Sequence, residues 1–236
     1  GNYVAWNWLA GGSASSNSEG DITASVSANT EAGFSIVSFN ATGSTATVGH
    51  GLSKAPEFII APQRTGSAWN IFAEPIGNTK RLRLDTTAAE ATSGVWGNTD
   101  PTSTVFTQDI TSTTNPIIAY CFHSVDGYSR VGKFTGNGSS DGVFVYTGFR
   151  PAWVMVKKSS STQSWAIMDN KRQNSFNDVD ARLFADLSNS ESTGEVCDFV
   201  SNGFKMRSTF STTNSSGATY IYLAFAEQPF KYANAR

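Results

Sequence analysis

The sequence contains two histidines, His50 and His123, and histidine is the residue type that most often serves as a general base near neutral pH. A serine hydrolase needs this base beside its nucleophile, yet no Gly-x-Ser-x-Gly motif accompanies either histidine. An internal repeat, described below, aligns Thr147 with His50 and Ala226 with His123, so a catalytic histidine would serve one copy only. We therefore expect both histidines to pack at turns or strand ends, and we predict no catalytic residue.

The acidic residues show no spacing that selects a catalytic pair. Two carboxylates about 5 to 9.5 Å apart can hydrolyse a glycosidic bond. Acidic side chains occur in both halves of the chain: Glu57, Glu74, Asp85, Glu90, Asp109, Asp169, Asp178, Asp180, Asp186, Glu191, Glu195 and Asp198. We expect ordinary surface charges, and a polysaccharide depolymerase is kept as a second alternative function.

The sequence gives no support for a metal or another cofactor. Cys121 and Cys197 lie outside any Cys-x-x-Cys motif or Cys/His cluster, which argues against zinc. The polar loops at residues 137–141 and 174–180 match no calcium-binding loop, and no glycine-rich loop is followed by Lys-Ser/Thr. We predict neither a metal nor a cofactor, and the sequence leaves open whether the two cysteines form a disulfide.

The candidate ligand-binding residues are aromatic side chains beside amides and carboxylates, because such groups can stack on sugar rings and bind hydroxyls. They lie outside the repeated blocks: Trp96 with Asn98 and Asp100, and Tyr128 with Asp126. Trp96 shows no counterpart in the second half of the chain, which separates it from a shared core. We predict that these five residues form an exposed ligand-binding surface.

Composition favours an extracellular β protein over a nucleic-acid-binding or membrane protein. Charged residues make up 15% of the chain, against about 25% in an average protein. Aromatic residues reach 12%, which supplies the apolar area that a folded core needs. The formal net charge is −2 and no basic face is visible, so we predict no nucleic-acid partner. No apolar run of about 18 residues occurs, so we predict no membrane span.

Four blocks of sequence recur in the same order at a separation of roughly 95 to 103 residues, which indicates an internal duplication. The matched blocks are residues 34–44 with 129–139, 50–60 with 147–155, 67–72 with 163–168, and 117–122 with 220–225. Within them, Trp69 aligns with Trp165 and Gly43 with Gly138. We expect Trp69 and Trp165 to anchor the cores of the two copies, since recurrence at the same place predicts packing.

Short apolar and β-branched runs, separated by Asn-Gly and Asp-Gly turn signals, predict strands almost throughout. The apolar spacing over residues 178–188 predicts one short helix or a loop. The predicted fold is all-β, with two tandem antiparallel β-sandwich (jelly-roll-like) units from an internal duplication. Its expected parts are an orphan or strand-exchange strand (1–9), a linker and lead-in (10–33), copy 1 (34–128) and copy 2 (129–236). Since residues 1–9 repeat the closing block, we also expect chain upstream of Gly1.

Several long stretches of the chain resemble phage and prophage tail-fibre-like proteins. They read AGFSIVSFNATGSTATVGHGLSKAPEFII, AYCFHSVDGYSRVGKFTGNGSSDGVFVYTGFRPAWVMVK, VSNGFKMRST and TYIYLAFAEQPFK. The resemblance covers residues 3–231 and implies a virion-surface adhesin or fibre module of jelly-roll, concanavalin-like or laminin-G-like topology. It also implies a homotrimer, and it carries over no catalytic residue.

These observations predict a virion-surface, extracellular attachment module of a phage tail fibre that binds a host-surface glycan or receptor without catalysis. Other virion subunits would be its further partners. The alternative is a structural fibre or filament subunit that assembles through β-strand contacts, with residues 1–9 packed into a neighbour. The second alternative is the depolymerase considered above.

Overall fold

A computed structural model describes residues 3–66, 69–110, 113–172, 177 and 179–228. The described chain consists of antiparallel strands joined by turns, with one short 3₁₀ helix at Glu74–Ile76. The all-β prediction is confirmed. No helix in these ranges is long and apolar enough to cross a membrane.

The first copy of the repeat, called unit 1 from here on, forms one large sheet and one small sheet together with its lead-in. The second copy is called unit 2. The strands are β1 (Ser15–Asn17), β2 (Ala24–Asn29), β3 (Phe34–Thr42), β4 (Thr45–Gly49), β5 (Phe58–Pro62), β6 (Trp69–Ala73), β7 (Lys80–Arg83), β8 (Ala91–Thr92), β9 (Val105–Asp109) and β10 (Thr113–Phe122). The large sheet has the order β1-β2-β3-β10-β5-β6-β7-β8, and β4 pairs with β9 in the small sheet. Apolar residues of the two sheets, among them Val37, Ile59 and Phe106, meet in the core of unit 1.

Unit 2 repeats this arrangement. Its strands are β11 (Ser129–Thr135), β12 (Phe144–Tyr146), β13 (Pro151–Lys158), β14 (Ala166–Asp169), β15 (Arg182–Phe184), β16 (Cys197–Val200), β17 (Gly203–Met206) and β18 (Thr219–Ala226). The large sheet has the order β11-β18-β13-β14-β15, which matches β3-β10-β5-β6-β7 strand for strand. The small sheet, β12-β17-β16, encloses a second core with Val154, Phe199 and Phe204. Two sandwich units from an internal duplication are therefore present, as predicted.

A shared turn shows the duplication at the level of the backbone. Gly51 and Gly148 occupy the same place after β4 and β12, and both have a positive φ, 69° and 88°. In unit 1 the Leu52 N–H donates to the ring Nδ1 of His50 at 3.1 Å. In unit 2 the Phe149 N–H lies 3.5 Å from the hydroxyl of Thr147. Leu52 and Phe149 then enter the two cores.

A third apolar cluster joins the two units. Strand side chains alternate between the two faces of a sheet, and the faces of the two large sheets that point away from their own cores pack against each other. The cluster contains Phe34, Phe58, Ile71, Leu82, Phe122, Trp153, Met155, Trp165, Ile167, Leu223 and Phe225. The rings of Phe122 and Phe225, which are equivalent in the repeat, contact each other with centroids 5.9 Å apart.

The N-terminal region differs from the expectation. Residues 3–10 form no strand, and residues 1–2 lie outside the described ranges. Trp8 packs edge-on against Trp153 and Phe122, and the Trp6 indole donates to Asp169 at 3.1 Å. The segment is thus held by its two indoles at the contact between the units. Residues 10–33 were predicted as a linker and lead-in, and they contain β1 and β2, because β2 pairs with β3 and extends the large sheet.

The helix considered for residues 178–188 is also wrong. The segment instead contains β15, which pairs with β14 on one side and forms a bridge from Arg182 to Ser192 on the other. Residue 178 lies outside the described ranges. The question of the disulfide is answered, because Cys121 lies in the core of unit 1, Cys197 lies in the core of unit 2, and both are free thiols.

Candidate functional site

A surface groove lies where the edges of the two large sheets meet, and we refer to it as the dyad groove. Its cavity measures about 410 Å³. It is lined by Trp69, Leu84, Asp85, Ala185, Asp186, Leu187 and Ser188. Trp69 is the first residue of β6, Leu84 and Asp85 follow β7, and the others follow β15 in unit 2.

The duplication brings two aspartates to this groove. The backbone N–H of Trp69 donates to Oδ1 of Asp85 at 3.2 Å, and the N–H of Trp165 donates to Oδ1 of Asp186 at 2.9 Å. In both units the residue before the aspartate donates its backbone N–H to the carbonyl of the same tryptophan. The distances are 3.0 Å from Leu84 to Trp69 and 3.2 Å from Ala185 to Trp165. The two sites are therefore copies of one backbone arrangement, and each fixes a carboxylate beside the groove.

The two tryptophans differ in exposure although their backbones match. Trp165 is 1% exposed, packs edge-on against Phe58, and donates its indole N–H to the Arg83 carbonyl at 2.7 Å. Trp69 is 41% exposed. The prediction that Trp69 and Trp165 anchor the two sandwich cores was wrong. Both side chains lie on the face of their sheet that points toward the other unit, and only Trp165 is covered there. Trp69 consequently offers an open aromatic face.

The carboxylates have free acceptor capacity. Neither Oδ2 of Asp85 nor Oδ2 of Asp186 accepts a hydrogen bond from a described residue, and Oδ2 of Asp186 is buried. The buried Lys157 lies near Asp186 and donates to the Thr87 and Gln163 carbonyls. Burial lowers the pKa of Lys157 to about 8, and the charge of Asp186 opposes that shift. An open indole beside the accessible Oδ2 of Asp85 is an arrangement that can stack on a sugar ring and bind one of its hydroxyls.

The dyad groove continues into an apolar cleft between the units. This cleft measures about 390 Å³ and shares Trp69, Leu84 and Ala185 with the groove. Its other walls include Trp6, Trp8 and Trp153. Two indoles of the N-terminal segment therefore help to line the cleft that opens into the groove.

The structure places Trp96 away from the surface. The side chain is 1% exposed and packs edge-on against Phe72 in the core of unit 1. Its exposure was predicted wrongly, because Trp96 does have a counterpart, the buried Cys197 of the second core. Both residues follow a buried valine whose carbonyl accepts an N–H from the neighbouring strand region, from Asp109 at 2.8 Å in unit 1 and from Arg207 at 2.8 Å in unit 2. Trp96 therefore cannot present its ring to a ligand in this structure.

The other four predicted binding residues form two separate groups. Asn98 and Asp100 are exposed, and Asp100 accepts a hydrogen bond from the Asn78 amide at 2.7 Å. Asp126 is exposed in the turn between the units, while the Tyr128 ring packs against Phe225. Tyr128 lies on the inter-unit face of the large sheet, opposite the face that Trp96 covers. The structure does not bring the five residues together, and their role in binding stays a prediction.

The histidines and cysteines are held by structural contacts. His50 is fully buried, accepts the Leu52 N–H on Nδ1, and contacts the Thr102 carbonyl through Nε2 at 3.2 Å. The His123 Nδ1 contacts the Ser124 carbonyl at 3.0 Å. Burial raises the pKa of Cys121 to about 12 and also raises the pKa of Cys197, which disfavours a reactive thiolate.

Comparison with known families places the chain in one of them. A family model matches residues 1–229, which include the N-terminal segment and both sandwich units. The chain belongs to the DUF7483 family. The family is described as a domain of unknown function. No curated protein and no solved structure matches this DUF7483 chain.

Sequence reasoning missed the pairing of Asp85 with Asp186 in this DUF7483 domain. Each aspartate ends a short motif, Arg-Leu-x-x-Asp, that begins at Arg81 in unit 1 and at Arg182 in unit 2. The motif lies at the spacing of the other repeated blocks, between the third and fourth of them. Matching it would have placed both carboxylates at equivalent positions, although only the packing of the units shows that they share one groove.

Proposed function

We propose that this chain is a virion-surface attachment module of a phage tail fibre and that it binds a host-surface glycan without catalysis. The tail-fibre role rests on the sequence resemblance, and glycan binding rests on the dyad groove. The observation that carries the proposal is the open ring of Trp69 beside Asp85, whose Oδ2 accepts no hydrogen bond from a described residue. Apolar rings with a few fixed polar groups are typical of small-ligand sites.

A glycan array probed with the full chain tests this proposal. Trp69→Ala should weaken binding of a selected glycan about tenfold or more, because the stacking surface is lost. Phe144→Ala is the matched control, since Phe144 is a similarly exposed aromatic residue on β12. Silence across broad arrays and host cells, or equal losses in both variants, would contradict the proposal.

The N-terminal segment supports a second candidate, a structural subunit that assembles by exchange of this segment. Trp6 and Trp8 are seated between the units by ring contacts and by the bond to Asp169. Since this segment forms no strand ladder, the same seat could receive the segment of a neighbouring chain. Deleting residues 1–9 should then abolish a homotrimer or other oligomer measured by light scattering, and an unchanged mass would end this candidate.

The paired carboxylates of the dyad groove keep the depolymerase as the third candidate. Most glycosidases use a pair of carboxylates as their catalytic groups, and two aspartates line this groove. Incubation with host capsule or surface polysaccharide should release reducing ends if this function is correct. Asp85→Asn and Asp186→Asn should each abolish the release, and its absence in the unmodified chain would dispose of the idea.

A further inference from the structure

A third cavity lies beside β7, and we refer to it as the arginine pocket. Its cavity measures about 470 Å³. It is lined by Arg81, Leu82, Arg83, Thr86, Thr87, Ala88, Ala89, Ala91 and Thr162. Leu82 belongs to the inter-unit cluster, so Arg81 and Arg83 point to the opposite face of the strand, about 7 Å apart along it.

The two guanidinium groups have no acidic partner. No Asp or Glu lines the pocket, and neither Arg81 nor Arg83 forms an ion pair with any residue that the structure describes. The Nε atom of Arg83 is buried without a hydrogen-bond partner among those residues. Burial lowers the pKa of Arg81, and the charge of Arg83 lowers it further. The pocket thus holds two uncompensated positive charges.

The equivalent strand of unit 2 shows that the fold does not require this pair. The counterpart of Arg81 is Arg182, which is covered by the Phe210 ring at 4.0 Å and lies 3.4 Å from the Ser192 hydroxyl. The counterpart of Arg83 is Phe184. The duplicated strand therefore folds with one covered arginine, whereas unit 1 keeps two arginines open and adjacent.

The surroundings of the pair fit a small acidic ligand. The guanidinium fork matches the oxygens of a carboxylate or a sulfate. Thr86, Thr87 and Thr162 bring hydroxyl groups to the same wall. Behind that wall, Lys157 donates to the Thr87 carbonyl at 2.9 Å, and its charge is balanced in part by Asp186. Nucleic acid would need a longer basic track than two arginines in a chain of net charge −2.

We propose that the arginine pocket binds the anionic group, carboxylate or sulfate, of an acidic saccharide residue. This inference rests on the proposed glycan-binding function and names the class of glycan. Arg81 and Arg83 bind the anionic group, and the threonines bind neighbouring hydroxyls. The pocket and the dyad groove share no lining residue, so each can be altered without changing the residues that line the other.

Calorimetric titration of the full chain with matched oligosaccharides tests this inference. The probes are a neutral oligosaccharide, a uronate-containing one and a sulfated one of the same length. At least one acidic probe should bind tenfold or more tightly than the neutral probe, and the uronate and sulfate arms identify the group. Arg83→Gln should remove that preference and reduce the salt dependence. Lys80→Gln is the matched control, since Lys80 carries the same charge on β7 but does not line the pocket.

Three outcomes would overturn the proposal. They are equal binding of neutral and acidic probes, equal effects of Arg83→Gln and Lys80→Gln, or no response to any anion. Titration with sodium sulfate, monitored by the NMR chemical shifts of the arginine side chains, tests the anion site separately from the proposed glycan-binding function. Shifts at Arg81 and Arg83 without any saccharide binding would sustain the anion site and reject the glycan. Neutral binding that is sensitive to Trp69→Ala, without those shifts, would do the reverse.

Discussion

His50 and Thr147 perform the same task in the two copies of one turn. Each side chain lies beside the backbone N–H two residues later, where the chain turns through a glycine into the core. A neutral ring nitrogen is needed for that contact in unit 1, because a protonated imidazole has no acceptor. The turn therefore explains why a buried histidine is present without any catalytic role.

This turn predicts a loss of stability in mild acid. Burial holds the pKa of folded His50 below its ordinary value of 6.5, so the unfolded chain binds the proton more readily. Stability is then fully present above about pH 6.5 and falls as the pH drops toward the folded pKa. His50→Thr copies the residue of unit 2 and should flatten that part of the profile. Urea unfolding between about pH 7.5 and 5 measures it, and an unchanged acid slope would reject the explanation.

At the residue scale, sequence could predict recurrence but not exposure. Trp69 and Trp165 were matched correctly, yet covering one ring depends on contacts such as the bond from Trp165 to the Arg83 carbonyl. Trp96 was assigned to the surface because its counterpart is a cysteine. Comparing the sequences of the two units does not reveal that two such dissimilar residues occupy equivalent positions. Asp85 and Asp186 were visible as acidic residues, whereas their meeting depends on how the units pack.

At the element scale, the turn that follows β4 should be destabilised when a methyl group is added at its glycine. Gly51 has φ 69°, and a Cβ there would approach the Val26 side chain to 2.9 Å. Gly51→Ala should lower the free energy of unfolding by about 1–2 kcal/mol, since the left-handed backbone and the contact both oppose a side chain.

Gly94→Ala is the matched control for this change. A Cβ at Gly94 meets no atom within 4 Å, and its φ is not in the left-handed region. Its stability should stay within about 0.5 kcal/mol of the parent chain, as is usual for surface substitutions. Chemical denaturation of the two variants side by side makes the comparison, and similar losses in both would refute the role given to the turn.

Strands were predictable where apolar runs follow a turn signal. The runs that became β5 and β13 are examples, because a buried strand must carry apolar residues on both faces. The N-terminal segment has a similar sequence but forms no strand, and its two indoles pack against rings at the contact between the units. The strand β15 was read as a helix or loop, since a three-residue strand is too short to display an alternating pattern.

At the scale of the whole molecule, the inter-unit cluster should couple the unfolding of the two sandwiches. Phe204 is fully buried in the core of unit 2. Phe204→Ala should cost about 3–5 kcal/mol. Because the large sheets share an apolar face, this loss should also speed exchange of core amides in unit 1, such as that of Val37. Hydrogen exchange followed by NMR reports both units, and protection unchanged in unit 1 would show that the units unfold independently.

The contact of Phe122 with Phe225 has a consequence for the origin of the chain. Contacts between equivalent residues characterise a two-fold interface between identical subunits. A single-copy ancestor with this face would have formed a symmetric homodimer, and duplication followed by fusion would have joined its halves into one polypeptide. Fusion frees each half to change alone, and the open arginine pair and the uncovered indole of unit 1 are differences of the kind that identical subunits could not have acquired separately.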